Sequence, residues 1–193
     1  MPKEVTIFSS KEARPYLEKL HFHLSNALRN RLPQYRCNSW FNTVIYDNGG
    51  DTINSLLQYA SQLKADKGYA VFLFTPDDEI NIRGDNYFVS RDNVWLEYGL
   101  FSGVLGTANA FTVFPEDPVT KNGKTINWHK PSDFTIQRIS YPYNDDANTL
   151  DLNFESIATR ITNIIAQKNG DTGSQQLQNN HKPVGPIGMM TKY

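Results

Sequence analysis

The apolar positions of the chain alternate between short strand-like runs and longer stripes at helical spacing. Residues 69–74 form the densest run, whose unbroken apolar character is typical of a strand buried on both faces of a parallel sheet. Residues 110–114 form a second such run, and residues 4–8, 35–40 and 136–141 are weaker candidate strands. Helical spacing predicts helices at residues 11–29, 52–63 and 152–165, and in the stretch between Ser90 and Gly106. This alternation predicts an α/β fold with a mostly parallel sheet and helices on both faces.

The helix predicted between Ser90 and Gly106 has one carboxylate beside its apolar stripe. Ser90 is the expected N-cap and Gly106 the expected C-cap. Glu97 lies at the border of the stripe, so spacing alone leaves two alternatives open: a solvent-facing glutamate or a functional carboxylate in a partly apolar pocket. The stripe itself consists of Val94, Tyr98, Phe101 and Leu105.

Polar segments follow several predicted strands, where parallel sheets bind their ligands. They are Ser9-Ser10, residues 41–50, Asp77-Asp78 and the loop before Ser90. We expect these segments to meet next to the start of the helix that carries Glu97. Asp77 and Asp78 are either a paired-carboxylate site or solvated residues of a turn, and Arg83 and Arg91 could hold phosphates or ribose.

Composition excludes several classes of function. The formal net charge is -1 and the basic residues are scattered, which argues against nucleic acid or a membrane surface as a partner. Cys37 is the only cysteine, so no intrachain disulfide can form, and no apolar segment is long enough to be a signal or a membrane span. We therefore expect a cytoplasmic protein. The histidines are not spaced as a metal site, and phosphate-loop and nucleophile-elbow motifs are absent, so we expect no metal and no bound cofactor.

The composition changes near residue 167, where Gln, Asn and Gly become frequent and apolar residues rare. This predicts a folded domain over residues 1–168 and a flexible linker or tail over residues 169–193, leading to an absent C-terminal sensor domain.

Glu97 remains the best catalytic candidate. A single carboxylate can stabilise an oxocarbenium-like centre when the leaving group needs no protonation, as in NAD⁺, which loses neutral nicotinamide. Four segments support this choice: FSSKE (8–12), LFTPDD (73–78), RGDNYFVSRDNVWLEYGLFSGVLG (83–106) and KPSDF (130–134). In this order they resemble the TIR-like domains of bacterial cyclic-nucleotide-activated antiphage effectors, both those fused to STING-type sensors and those of cyclic-pyrimidine systems.

The resemblance implies a TIR (flavodoxin-like) fold with a five-stranded sheet, and NAD⁺ glycohydrolase activity that depends on stacking of TIR domains. It implies that Glu97 is the catalytic residue. A cyclic dinucleotide would act only through a sensor domain not present in this chain. The resemblance places Phe8, Ser9 and Ser10 at the nicotinamide-ribose pocket. It makes residues 41–50 the mobile loop that family members use in stacking and in gating the pocket. Trp40 and Asp47 are candidate residues for these roles. Around the pocket mouth we expect Asp77, Asp78, Arg83 and Arg91.

Two other functions remain open at this stage. A TIR fold can act as a non-catalytic scaffold for homotypic interactions, and a scaffold need not keep Glu97. A nucleoside deoxyribosyltransferase-like enzyme uses a similar α/β fold and a carboxylate on the sugar.

Overall fold

The computed structural model of the chain describes residues 2–40, 52–121, 123–129, 138–143 and 147–170. The strands in chain order are β1 (Lys3–Ser9), β2 (Tyr35–Ser39), β3 (Tyr69–Leu73), β4 (Asp78–Ile82), β5 (Asp85–Val89), β6 (Ala110–Glu116), β7 (Val119–Lys121), β8 (Lys124–Ile126) and β9 (Arg138–Pro142). The helices are α1 (Arg14–Arg31), α2 (Thr52–Ala65), α3 (Asp92–Leu105) and α4 (Ala147–Lys168).

Five of the strands form one sheet in the order β2-β1-β3-β6-β9, and every pair in it is parallel. Right-handed crossovers place α1 on one face and α2 and α3 on the other. The contacts agree, because α2 packs beside α3 while α1 packs beside α4. The predicted α/β architecture with helices on both faces is therefore confirmed.

The register of the sheet brings three strand ends to one edge. Ile7 of β1 is paired with Ser39 of β2 on one side and with Val71 of β3 on the other. Because the strands are parallel, the residues that follow β1, β2 and β3 leave the sheet side by side. The helix α3 runs back from this edge, so its N-terminus also lies there.

A β-hairpin occupies the stretch before α3, where the sequence predicted a polar loop. Its strands β4 and β5 are antiparallel, and Arg83 and Gly84 form the two-residue turn with φ values of 54° and 96°. Two positive φ values are typical of the type I′ turn that joins twisted hairpin strands. The strands escaped prediction because neither contains a buried residue and both carry several polar side chains. The β7–β8 hairpin was missed because each of its strands has only three residues.

Helix ends differ from the predicted ones in several places, most of all in α4, which spans Ala147–Lys168 where residues 152–165 were predicted. Helix α1 begins at Arg14, three residues later than expected, because residues 11–13 form a turn. In α3 the N-cap position belongs to Arg91, and the Ser90 hydroxyl instead donates a hydrogen bond to the Thr75 carbonyl at 2.7 Å. Ser90 as N-cap is therefore wrong, whereas Gly106 as C-cap is confirmed, with a φ of 81°.

The end of α4 is fastened to the start of the sheet through Asn169. Its Oδ1 accepts a hydrogen bond from the Tyr35 hydroxyl at 3.1 Å, and its Nδ2 donates to the Ile165 carbonyl at 2.7 Å. Asn169, the residue that follows α4, is therefore packed against the start of the sheet. No helix in the described ranges has the length and apolar composition required to cross a membrane.

Candidate active site

The segment after β3 is held in place through three consecutive carbonyl groups. The Phe74 carbonyl accepts a hydrogen bond from the Tyr141 hydroxyl at 2.9 Å, and the Thr75 carbonyl accepts one from Ser90. The Pro76 carbonyl accepts one from the Lys121 ammonium at 2.7 Å. The path of the chain from β3 to the β4–β5 hairpin is thus fixed beside the N-terminus of α3.

Glu97 is a buried residue of α3, with a relative exposure of only 4%. It lies in the second turn, about 8 Å along the helix axis from Asp92, on the same side as the buried Val94 and Phe101. The alternative of a solvent-facing glutamate is therefore wrong. A buried carboxylate is rare and costs folding free energy, so its presence points to a use other than stability.

Aromatic rings form the layer beneath this part of α3. The Phe8 ring stacks on Phe72 at a centroid distance of 4.9 Å and lies 4.5 Å from Phe101, one turn after Glu97. Phe72 also meets the Tyr98 ring edge-on at 5.3 Å. Phe8 is completely buried, so its ring supports the Glu97 helix from inside the core and does not lie on an accessible surface. The place of Phe8 at the nicotinamide-ribose pocket stays a prediction.

The two serines after β1 shape the turn into α1. Ser9 donates its hydroxyl to the Ser10 carbonyl at 3.0 Å, and the Ser10 hydroxyl accepts the Ala13 N–H at 3.1 Å. Both residues are buried, at the same sheet edge as Thr75. Trp40 is half-buried directly after β2, whereas Asp47 and the 41–50 loop lie outside the described residues.

Asp77 connects several of these segments. Its Oδ1 accepts a hydrogen bond from the Thr75 hydroxyl at 2.6 Å, and its backbone N–H contacts the carbonyls of Thr75 and Val89, each at 3.0 Å. Burial raises the pKa of this carboxyl above its ordinary value. Hydrogen bonding from Thr75, Ser10 and the Arg91 backbone lowers the pKa in part. The hydrogen bonds of Asp77 therefore join the segment after β3 to the end of β5.

Arg91 joins the same edge through two ion pairs. Its guanidinium lies 2.9 Å from Glu12 Oε1, after β1, and 3.2 Å from Asp78 Oδ2, at the start of β4. All three side chains are roughly half-exposed, so each pair contributes at most about 1 kcal/mol. Arg83 does not join them, because it occupies the hairpin tip, roughly 15 Å from the base across strands of five residues.

The structure adds to the candidate site three residues that were not predicted from the sequence. Thr75 holds Asp77, Glu12 pairs with Arg91, and the half-buried Trp95 packs on the Phe74 ring at 4.2 Å. Thr75 and Glu12 could have been found from their positions just after predicted strands. Trp95 could not, since only the packed structure shows which side of α3 faces β3.

Among the described residues, neither a metal site nor a reactive cysteine is available for an alternative catalytic mechanism. In the ranges that the structure describes, no group of three or more His, Cys, Asp or Glu side chains is placed to hold a metal ion. Burial raises the pKa of the Cys37 thiol to about 12, so this thiol is protonated at neutral pH and a poor nucleophile.

Comparison with known proteins places the chain near two related groups. Residues 17–135 match the family model described as "CAP12/Pycsar effector protein, TIR domain". The chain is 36% identical over 85 residues to CD-NTase-associated protein 12 of a Lachnospiraceae bacterium, an alignment that covers 44% of this chain and 25% of the relative. It is 30% identical over 113 residues to the protein of the same name from Flavobacterium daejeonense, covering 58% and 32%. It is 44% identical over 79 residues to the Pycsar effector protein XpPycTIR of Xanthomonas perforans, covering 40% and 23%.

The family match extends over more than half of the chain and includes Glu97, Asp77 and Arg91, whereas Phe8 to Ser10 precede it. The chain spans about a quarter to a third of the length of these relatives.

Proposed function

Because the chain belongs to the TIR domain family of CAP12/Pycsar effector proteins, we propose that it is an NAD⁺ glycohydrolase that acts in antiphage defence. The observation that carries this proposal is the burial of Glu97. Its helix starts at the carboxyl edge of the parallel sheet, where α/β proteins bind their ligands. A glycohydrolase of this type needs one carboxylate near the ribose, and Glu97 is the buried carboxylate of α3.

In the proposed reaction the bond between nicotinamide and ribose C1′ breaks, and the electron pair leaves with nicotinamide. The Glu97 carboxylate stabilises the positive charge that develops on the ribose. Water then adds to C1′ and releases one proton, so the products are nicotinamide and ADP-ribose. The leaving group departs neutral and needs no general acid. The aromatic layer of Phe8, Phe72 and Phe101 holds the Glu97 helix in place during this change.

Assembly is part of the proposal. We infer that TIR domains stack on one another and that the stacked state cleaves NAD⁺. A cyclic dinucleotide would drive stacking through a sensor domain, a role that the greater length of the relatives leaves room for. NAD⁺ is the substrate, and no further cofactor is needed.

The test measures NAD⁺ cleavage by the Glu97→Gln variant while the protein is clustered at high density on beads. Glutamine keeps the size of the side chain and removes its charge, so NAD⁺ cleavage is expected to fall about 10²–10³-fold, equivalent to about 2.7–4 kcal/mol of transition-state stabilisation. The matched control is Glu155→Gln, an exposed glutamate of α4 on the opposite face of the sheet, which should cleave like the parent.

Three results would contradict the proposal. Equal cleavage by parent and Glu97→Gln would remove Glu97 from catalysis. A clustered parent that cleaves no NAD⁺ but still associates would indicate a scaffold. Exchange of bases between deoxynucleosides, detected by chromatography, would indicate a deoxyribosyltransferase.

A further inference from the structure

The Ser90 hydroxyl links the start of α3 to the end of the central strand β3. It donates a hydrogen bond to the Thr75 carbonyl at 2.7 Å, between residues that are 15 positions apart in the chain. Ser90 directly precedes Arg91, the N-cap of α3, and Thr75 is the second residue after β3. Both residues are buried, so water does not compete for this hydrogen bond. The link therefore attaches the start of α3 directly to the segment after β3.

The acceptor of this hydrogen bond belongs to a segment that is itself held on both sides. The Phe74 carbonyl accepts a hydrogen bond from the Tyr141 hydroxyl at 2.9 Å. The Pro76 carbonyl accepts one from the Lys121 ammonium at 2.7 Å. The Thr75 carbonyl lies between these two groups, so it offers Ser90 a fixed point of attachment.

Other contacts near the start of α3 define its position less sharply. The Trp95 ring packs on the Phe74 ring at 4.2 Å, but a contact between rings has a weaker directional preference than a hydrogen bond. The ion pairs of Arg91 are roughly half-exposed and therefore weak. The buried hydrogen bond of Ser90 is both directional and adjacent to the N-cap, so it is the contact best suited to set where the helix begins.

The start of α3 determines where Glu97 lies. Glu97 comes seven residues after Ser90, about 10 Å along the helix axis, and a helix transmits a shift of its first turn to the second. Differences of about 1 Å in the position of a catalytic group can cost about a hundredfold in rate. A small movement of the helix start is therefore enough to displace the carboxylate from the ribose.

We propose that Ser90 is a positioning residue, whose hydrogen bond to the Thr75 carbonyl holds the start of α3, and with it Glu97, against the end of β3. This inference rests on the proposed NAD⁺ glycohydrolase function. Ser90 acts through the helix and does not contact the substrate, because its side chain is buried and its hydroxyl proton is used in the bond to Thr75.

The kinetic test compares Ser90→Ala with Ser90→Thr in the clustered chain. Alanine removes the donor and is expected to lower kcat for NAD⁺ at least about tenfold, with KM unchanged within about threefold. Threonine keeps the hydroxyl and should retain at least about a third of the parent kcat. The matched control is Ser61→Ala in α2. The Ser61 hydroxyl donates to the Leu57 carbonyl of its own helix at 2.8 Å, so its loss should leave both constants unchanged.

A second measurement does not depend on activity. Hydrogen exchange of the amides of residues 94–97 should be faster in Ser90→Ala than in the parent, with exchange in α1 unchanged. Exchange in Ser61→Ala should match that of the parent throughout α3. This result stands even if the clustered parent cleaves no NAD⁺, so failure of the proposed function and failure of this inference can be told apart.

A further variant keeps the test decisive if Ser90→Ala does not fold. Ser90→Cys nearly preserves the shape of the side chain, but a thiol is a weak hydrogen-bond donor. It should lower kcat at least about threefold and speed exchange at residues 94–97.

Several outcomes would overturn the inference. A parent-like kcat in the folded variant without a hydroxyl would show that Glu97 does not depend on this hydrogen bond. A loss confined to KM would show that Ser90 contacts the substrate. Unchanged exchange at residues 94–97 would show that the bond does not hold the helix start. A threonine variant with parent-like exchange but the low kcat of the alanine variant would equally exclude positioning, whereas slow catalysis together with fast exchange would support it.

Discussion

At the scale of single residues, burial separates side chains that look alike in the sequence. Glu97 and Glu155 both lie on helices with apolar stripes, yet Glu97 is buried and Glu155 is exposed. Asp77 and Asp78 are neighbours, yet Asp77 accepts a hydrogen bond from Thr75 while Asp78 forms a half-exposed ion pair with Arg91. The chemistry available to each carboxylate follows from its surroundings, because burial changes both its charge and its accessibility.

The Cys37 thiol allows a prediction about how its rate of alkylation depends on pH. A thiol whose folded-state pKa is about 12 loses its proton only at high pH, so at pH 8 its alkylation should be roughly a thousandfold slower than that of an ordinary thiol. The rate should continue to rise with pH beyond pH 9. Mass-spectrometric alkylation kinetics measure this, and the chain unfolded in guanidinium is the control, where Cys37 should react normally. Ordinary reactivity in the folded chain would contradict the burial of this thiol.

At the scale of elements, α3 combines its buried stripe with an unusual pair of glycines. Gly99 and Gly103 lie in the helix interior, and a Cβ at either position would meet no atom within 4 Å. The described part of the monomer therefore gives no packing reason for these glycines, and each lowers the stability of the helix relative to alanine.

We expect Gly99→Ala and Gly103→Ala each to raise the free energy of unfolding by about 0.5–1 kcal/mol, because alanine loses less backbone entropy on folding. Denaturant titration followed by circular dichroism measures this change. Gly68→Ala is the opposing control, since its Cβ would lie 2.7 Å from the Glu4 backbone carbonyl and should destabilise the fold by about 1–3 kcal/mol. Loss of stability in the α3 variants would show that their surroundings are more crowded than the structure indicates.

At the scale of the whole molecule, the fold closes where α4 returns to the beginning of the sheet. Asn169 contacts Tyr35 after the α1 connection and Tyr69 at the start of β3, with its Nδ2 3.3 Å from the Tyr69 hydroxyl. One side chain thus connects the C-terminal helix to two strands that lie more than 90 residues earlier in the chain.

This closure predicts different effects for two truncations. A chain ending after Gly170 should unfold at the same temperature as the full chain, because all the contacts of Asn169 are kept. A chain ending at Lys168 loses the Tyr35, Tyr69 and Ile165 hydrogen bonds and should be less stable by about 1–3 kcal/mol. Differential scanning calorimetry of the two proteins measures the difference. Equal unfolding temperatures would place the boundary of the domain before Asn169.

The sequence by itself determined the sheet, the four helices and the choice of Glu97 as candidate. Continuous apolar runs such as residues 69–74 and stripes such as Val94 to Leu105 are local patterns, and local patterns survive in any tertiary context. The resemblance to the family could also be recognised from the sequence, since long motifs are local patterns too. The β4–β5 hairpin could not be predicted, because its strands are short and contain no continuous apolar run.

Only the tertiary structure decided how Glu97 and its neighbours are arranged. Spacing placed Glu97 at the border of a stripe, and packing of α3 against β3 and α2 turned that border inward. In the folded chain Phe8 is buried and Arg83 lies at the distant tip of the β4–β5 hairpin. Thr75, Asp77 and Arg91 lie together at one edge of the sheet. These relations join residues far apart in the chain, and therefore depend on the whole fold.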